Sequence, residues 1–182
     1  MATTSTRFFE PIDIDSAPEE SKETLRAVQK KFGFIPNLIG TLAHAPAALK
    51  SYVQLDAIFA EGSFSPKERQ IVALAASVEN DCKYCVAAHG TALKQLKLED
   101  ETLQAIKEGR SIGDSKLQAL VNLVREVVKQ RGHVGDSAVQ EFLQSGYSQP
   151  QLMEVLVGVA MKTLTNYVDH LNPVDIDPAF AS

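Results

Sequence analysis

The chain has 182 residues, 45% of them hydrophobic, which fits one domain with a proper core or one domain built of two similar halves. A formal charge of -5 with Lys and Arg spread singly along the chain gives no basic run to track phosphates, so nucleic-acid binding is not expected. The N-terminal "MATTSTRFFEPIDID" lacks the apolar core of a secretory signal, and the longest apolar run, "VLVGVAM", is too short to span a bilayer; a soluble, cytoplasmic protein without membrane contact is expected.

Residues 1–15, with Pro11 and alternating Ile and Asp, read as an extended arm ahead of a single all-α domain at 16–178. Helix 1 is predicted from Pro18 to Phe32, with Ser16 as N-cap candidate, acids in the first turn, and two lysines and Gly33 at the end. Between Pro36 and Pro46 a short helix has room to form. Further helices are predicted at about 46–60, 65–79, 81–96, 99–108, 114–131, 136–145 and 149–171. The segment "SPKERQIVALAASVEN" places Ser65 at N-cap and Pro66 at N1, then turns almost wholly apolar or small from Ile71 to Val78, the pattern of a core helix. Residues 148–172 repeat that style, and aligning Ala75 with Ala160 sets Cys82 over Tyr167 and Cys85 over His170, an internal pseudo-repeat.

Both cysteines of the chain lie in "ENDCKYCVAAHG". With Asn80 or Asp81 as N-cap, a helix beginning at about Cys82 puts Cys82, Cys85 and His89 at i, i+3 and i+7, within an arc of roughly 60°. One helical turn, about 5 Å, separates Cα atoms that a disulfide can bridge. Helix-terminal donors and an imidazole both favour a thiolate. They nominate different sulfurs: Cys82 lies nearer the helix start, whereas Cys85 is the i+4 neighbour of His89. Tyr84, on another face, reads as packing or as a hydroxyl capping a pocket.

Other readings of the cluster are inert buried cysteines, and a metal site on Cys82, Cys85 and His89 with His170, His44 or Glu79 as fourth ligand. A thioredoxin-like arrangement would need a preceding strand and a βαβ pattern, neither of which the sequence has. No GxGxxG or P-loop stretch supports a nucleotide cofactor. His44 beside Pro46 reads as capping or packing, and His133 as part of a glycine-containing loop that ends a helix.

The stretch "SPKERQIVALAASVENDCKYCVAAH", flanked by "FGFIPNLIGTLAHAPAAL" and "TNYVDHLNPVDID", resembles the carboxymuconolactone decarboxylase-like superfamily, in its alkylhydroperoxidase D-like, peroxidase-related branch, over about residues 32–177. The resemblance implies an all-α fold, a homo-oligomer, and a CxxC dithiol that reduces small organic hydroperoxides or relays electrons to a partner peroxiredoxin. It implies Cys85 as the peroxidatic cysteine, Cys82 as the resolving one and His89 in a proton relay, with no metal or cofactor. The branch's cysteine pair argues against lactone decarboxylation. Where the family carries a relay glutamate, this chain has Gln70, which cannot exchange a proton as a carboxylate does. Glu68, Glu79, Tyr167 and His170 are the candidates to replace it. The expected function is a thiol-dependent peroxidase using an external dithiol reductant. The alternatives are a disulfide-relay partner with little peroxidase activity and a metal-binding or structural oligomer.

Overall fold

The computed structural model describes residues 6–181, and these form nine α-helices, one 3-10 turn and no strand. The helices are α1 (Glu19–Phe32), α2 (Asn37–Leu42), α3 (Pro46–Glu61), α4 (Pro66–Glu79), α5 (Lys83–Gln95), α6 (Asp100–Glu108), α7 (Ser115–Lys129), α8 (Asp136–Gln144) and α9 (Gln149–Leu171). The 3-10 turn spans Pro178–Phe180.

The predicted boundaries hold because their local signals are built as read. Ser65 and Ser148 each close a reciprocal capping box, with Glu68 and Gln151, and each is followed by proline in the first turn. Gly33 and Gly109 end α1 and α6 in the left-handed conformation that glycine adopts without penalty. Ser16 departs from its expected role. Its amide and hydroxyl turn back onto Asp13 Oδ1 at 2.9 and 2.6 Å, and the N-cap of α1 is Pro18, which makes no side-chain cap bond.

Helix α4 is the centre of the molecule. Every residue from Ile71 to Ser77 is buried, which is possible only because α5, α7 and α9 pack around it. Its approach to α9 is close: a Cβ at Gly158 would lie 2.7 Å from Val72 Cγ1 and 2.9 Å from Phe59 Cζ. The stripe Val155, Gly158, Lys162 and Thr165 faces this packing and is buried. The two segments aligned as a pseudo-repeat diverge in structure: α4 stops at Glu79, whereas α9 runs unbroken to Leu171.

The N-terminal arm, of which residues 1–5 lie outside the described residues, has no regular structure between Thr6 and Asp13. It is fastened to the segment after α9. Asn172 Oδ1 accepts from the amides of Phe8 and Phe9, Asn172 Nδ2 donates to Phe9 O, and Arg7 pairs with Asp175 at 2.8 Å. The C-terminal segment thereby lies over the N-terminal end of α5, where both cysteines are.

Candidate active site

Cys82 is not the first residue of the dithiol helix, as the spacing predicts, but its N-cap. Asp81 takes a positive φ of 54°, so the chain turns sharply out of α4 and Cys82 enters α5 with extended backbone angles. Its sulfur then accepts the Cys85 backbone amide at 3.3 Å. Asn80, expected as a cap of α5, instead ends α4 and donates from Nδ2 to Asn166 Oδ1 of α9 at 3.0 Å.

The consequence is that the two sulfurs face different spaces. Cys85 lines a cavity of about 630 Å³ together with Gln70, His89 and Lys162. Aromatic side chains Phe32, Phe34, Tyr52, Tyr84 and Phe180 supply much of its wall. Cys82 borders a second cavity of about 500 Å³ with Lys83, Lys107 and Phe180. The single face expected for Cys82, Cys85 and His89 is therefore split, with Cys85 and His89 on one side and Cys82 on the other. Both cysteines are free thiols and both are buried.

The pair is electrically unequal. Cys82 has one proton and two acceptors within reach, the Cys85 sulfur and Asp169 Oδ2 at 3.3 Å. The hydrogen bond to Cys85, burial, and the negative charge of Cys85 and Asp169 all push its pKa far up, so Cys82 holds its proton. Cys85 moves the other way. The hydrogen bond from Cys82 leads, and against the cost of burial the Lys162 ammonium and the Thr165 hydroxyl, 3.9 Å from Sγ, bring it down to about 5. The two shifts run in opposite directions, and of the pair Cys85 is the more readily ionised.

His89 Nδ1 lies 2.8 Å from Gln70 Oε1. A carboxamide oxygen only accepts, so Nδ1 carries the hydrogen and Nε2 is left as the basic nitrogen. Burial, and secondarily the charge of Lys162, hold the imidazole well below its usual range, so it stays neutral. Gln70 orients the ring without exchanging a proton.

The other sequence-predicted residues are placed elsewhere. Glu68 closes the Ser65 capping box, and Glu79 pairs with Lys129 at 3.4 Å. Tyr167 and His170 stack on each other at the exposed end of α9, with ring centroids 6.1 Å apart, and neither lines the cavity. His44 packs edge-on against Phe9 and meets Glu10 O at 2.8 Å. Among the described residues no three His, Cys, Asp or Glu side chains converge as a metal site requires. Tyr84 packs beside the cysteines and lines the cavity, and its hydroxyl donates to Asp177 Oδ2 at 2.5 Å and accepts from the Leu38 amide at 3.4 Å.

Lys162, Thr165 and Asp169 stand beside the dithiol without having been singled out from the sequence. Their signal was present: at i, i+3 and i+7 they extend the buried stripe of α9, where a lysine is out of place among apolar neighbours.

Residues 46–126, from α3 into α7, match the model of the Carboxymuconolactone decarboxylase family. No curated protein matches the sequence. Among solved structures, the fold resembles an alkylhydroperoxidase AhpD core, a peroxidase-related protein from Ralstonia eutropha JMP134, at 22% identity and TM-score 0.84, covering 94% of this chain and 93% of that one. A peroxidase-related protein from Silicibacter sp. TM1040 is similar at 18% identity and TM-score 0.80, covering 99% and 97%. The debrominase Bmp8, in a form complexed with 2,3,4-tribromopyrrole, is similar at 16% identity and TM-score 0.80, covering 96% and 94%. This chain shares the all-α, AhpD-like fold of these proteins.

Proposed function

We propose that this chain, which matches the carboxymuconolactone decarboxylase family over residues 46–126 and folds as AhpD-like proteins do, is a thiol-dependent peroxidase acting on small organic hydroperoxides. The observation that carries the reading is the asymmetry of the dithiol. A thiolate, Cys85, faces a partly aromatic cavity, and its neighbour Cys82 keeps its own proton and directs it at that sulfur.

In the proposed cycle, Cys85 Sγ attacks the terminal peroxide oxygen and the O–O bond breaks. The alkoxide leaves and takes a proton to become the alcohol, while Cys85 becomes a sulfenic acid. Cys82 sulfur then attacks Cys85 sulfur, expelling the hydroxyl as water with the Cys82 proton and closing the disulfide. Two thiols and one hydroperoxide give one disulfide, one alcohol and one water. An external dithiol, small or borne by a partner protein, is oxidised to return both protons and electrons. A reducing compartment such as the cytoplasm would supply it. The proton that Cys85 lost on ionisation comes back to the alkoxide from solvent, and His89 relays it through Nε2.

Burial of both sulfurs supports a small substrate over direct exchange with a protein disulfide. A second reading, removal of halogen from an aromatic ring, is favoured by the aromatic wall and by the likeness to the debrominase. A homo-oligomer is part of the proposal, with exposed Ile58 of α3 and Met153 and Leu156 of α9, two helices packed together, as interface candidates.

Turnover of cumene hydroperoxide with dithiothreitol tests the reading. The native protein should release one alcohol per dithiol oxidised and Cys85→Ser none. Full activity in Cys85→Ser would overturn the assignment, and inactivity of the native protein toward hydroperoxides together with bromide release from bromopyrroles would favour the second reading.

A further inference from the structure

Lys162 is only 1% exposed, yet among the described residues no carboxylate lies within ion-pairing distance of its ammonium. A buried cation without an anionic partner is strongly unfavourable, and an apolar side chain of the same length would serve the α9 stripe better. What the ammonium does meet is the site. Lys162 lines the cavity with Cys85, Gln70 and His89. One turn further on, the Thr165 hydroxyl approaches the Lys162 carbonyl at 3.2 Å and the Cys85 sulfur at 3.9 Å.

The other groups around Cys85 offer it no cation. From α5 come the Cys82 thiol, the Tyr84 phenol and neutral His89. From α4 comes uncharged Gln70, and from α3 the Tyr52 phenol, with Asp56 beyond it. From α9, besides Lys162, comes Asp169 behind Cys82. Lys31, also on the cavity wall, is exposed and pairs with Asp56 at 3.6 Å.

We propose that Lys162 is the resident counter-charge of the Cys85 thiolate, and that the site divides its labour between a fixed cation on the sulfur and a neutral histidine that carries the proton. The ammonium acts on the sulfur both as a charge and as a hydrogen-bond donor. Burial leads in keeping His89 unprotonated, and the Lys162 charge adds to it. The lysine is thus kept at a cost in stability for the sake of reactivity.

The inference rests on the reading of Cys85 as the attacking sulfur, but its test needs no peroxide and survives failure of the peroxidase reading. Thiolate absorbance at 240 nm, followed against pH in the reduced protein, should show one step in the acid range that Cys85→Ser abolishes. In Lys162→Met that step should move upward by at least about one pH unit, with a melting temperature equal to or above that of the native protein. Lys162→Arg, which keeps the charge, should restore a low step. A step that stays in place in a folded Lys162→Met would overturn the inference. Should the variants not fold, the native protein decides: the Lys162 Nζ resonance in a ¹⁵N spectrum should move when the Cys82–Cys85 disulfide forms, and an unmoved resonance would overturn the inference equally.

Discussion

The Cys85 amide donates to the Cys82 sulfur at 3.3 Å, so the residue that would resolve a sulfenic acid is also the cap of the helix that carries the attacking thiolate. Structure and redox chemistry share one sulfur. Cys82→Ser keeps a capping oxygen and should retain the native stability, whereas Cys82→Ala loses the cap and should be destabilised by about 1 kcal/mol. Both should stop at a Cys85 sulfenic acid after one peroxide, detectable with a dimedone adduct. Equal stability of the two variants in urea would contradict the capping role.

Gln70 accepts from His89 Nδ1 without sharing its proton. In Gln70→Glu a carboxylate would stand at the same nitrogen and favour the imidazolium, so the His89 titration should move upward from its present position well below the usual range. A proton could then pass through the pair, and peroxide turnover should rise about tenfold, less than the full contribution of a positioned acid–base group. Ring-proton chemical shifts of His89 against pH check the first statement. An unchanged titration would mean that the ring is set by burial alone.

Asp177 accepts both the Tyr84 hydroxyl and the Asn37 amide, the latter at 3.1 Å. This carboxylate holds the Pro178–Phe180 turn against α5, where Phe180 borders both cavities and meets Tyr84 edge-on with centroids 6.0 Å apart. Asp177→Ala leaves one buried donor, the Tyr84 hydroxyl, and one half-buried donor, the Asn37 amide, unsatisfied and should cost about 1–3 kcal/mol. With the turn released, the cysteines should react faster with an aromatic disulfide reagent. Unchanged reactivity would show that the turn does not cover the dithiol.

The helices were legible because their ends are chemical: Ser65 and Ser148 with their boxes, Pro66 and Pro150 in the first turns, and Gly33 and Gly109 past the last. The dithiol's two sides were not. A positive φ at Asp81 is a three-dimensional solution to leaving α4, and two good capping residues, Asn80 and Asp81, concealed that the sulfur itself caps. Tyr167 and His170 looked suitable in spacing, but Tyr167 lies five residues beyond Lys162, roughly 140° around the helix and off the buried stripe. Lys162 passed unnoticed because a lone lysine in a helix usually reaches solvent. Asp177 was hidden for another reason, since only the folded chain brings it 93 positions back to Tyr84.

The central claim is that Cys85 attacks and Cys82 resolves. A thiol count on the reduced native protein before and after one equivalent of organic hydroperoxide, with mass spectrometry to locate the products, tests it most directly. The account predicts rapid loss of both thiols, one equivalent of alcohol and an intramolecular Cys82–Cys85 disulfide. Two thiols surviving the peroxide, or oxidation that begins on Cys82 in the Cys85→Ser variant at the native rate, would contradict it.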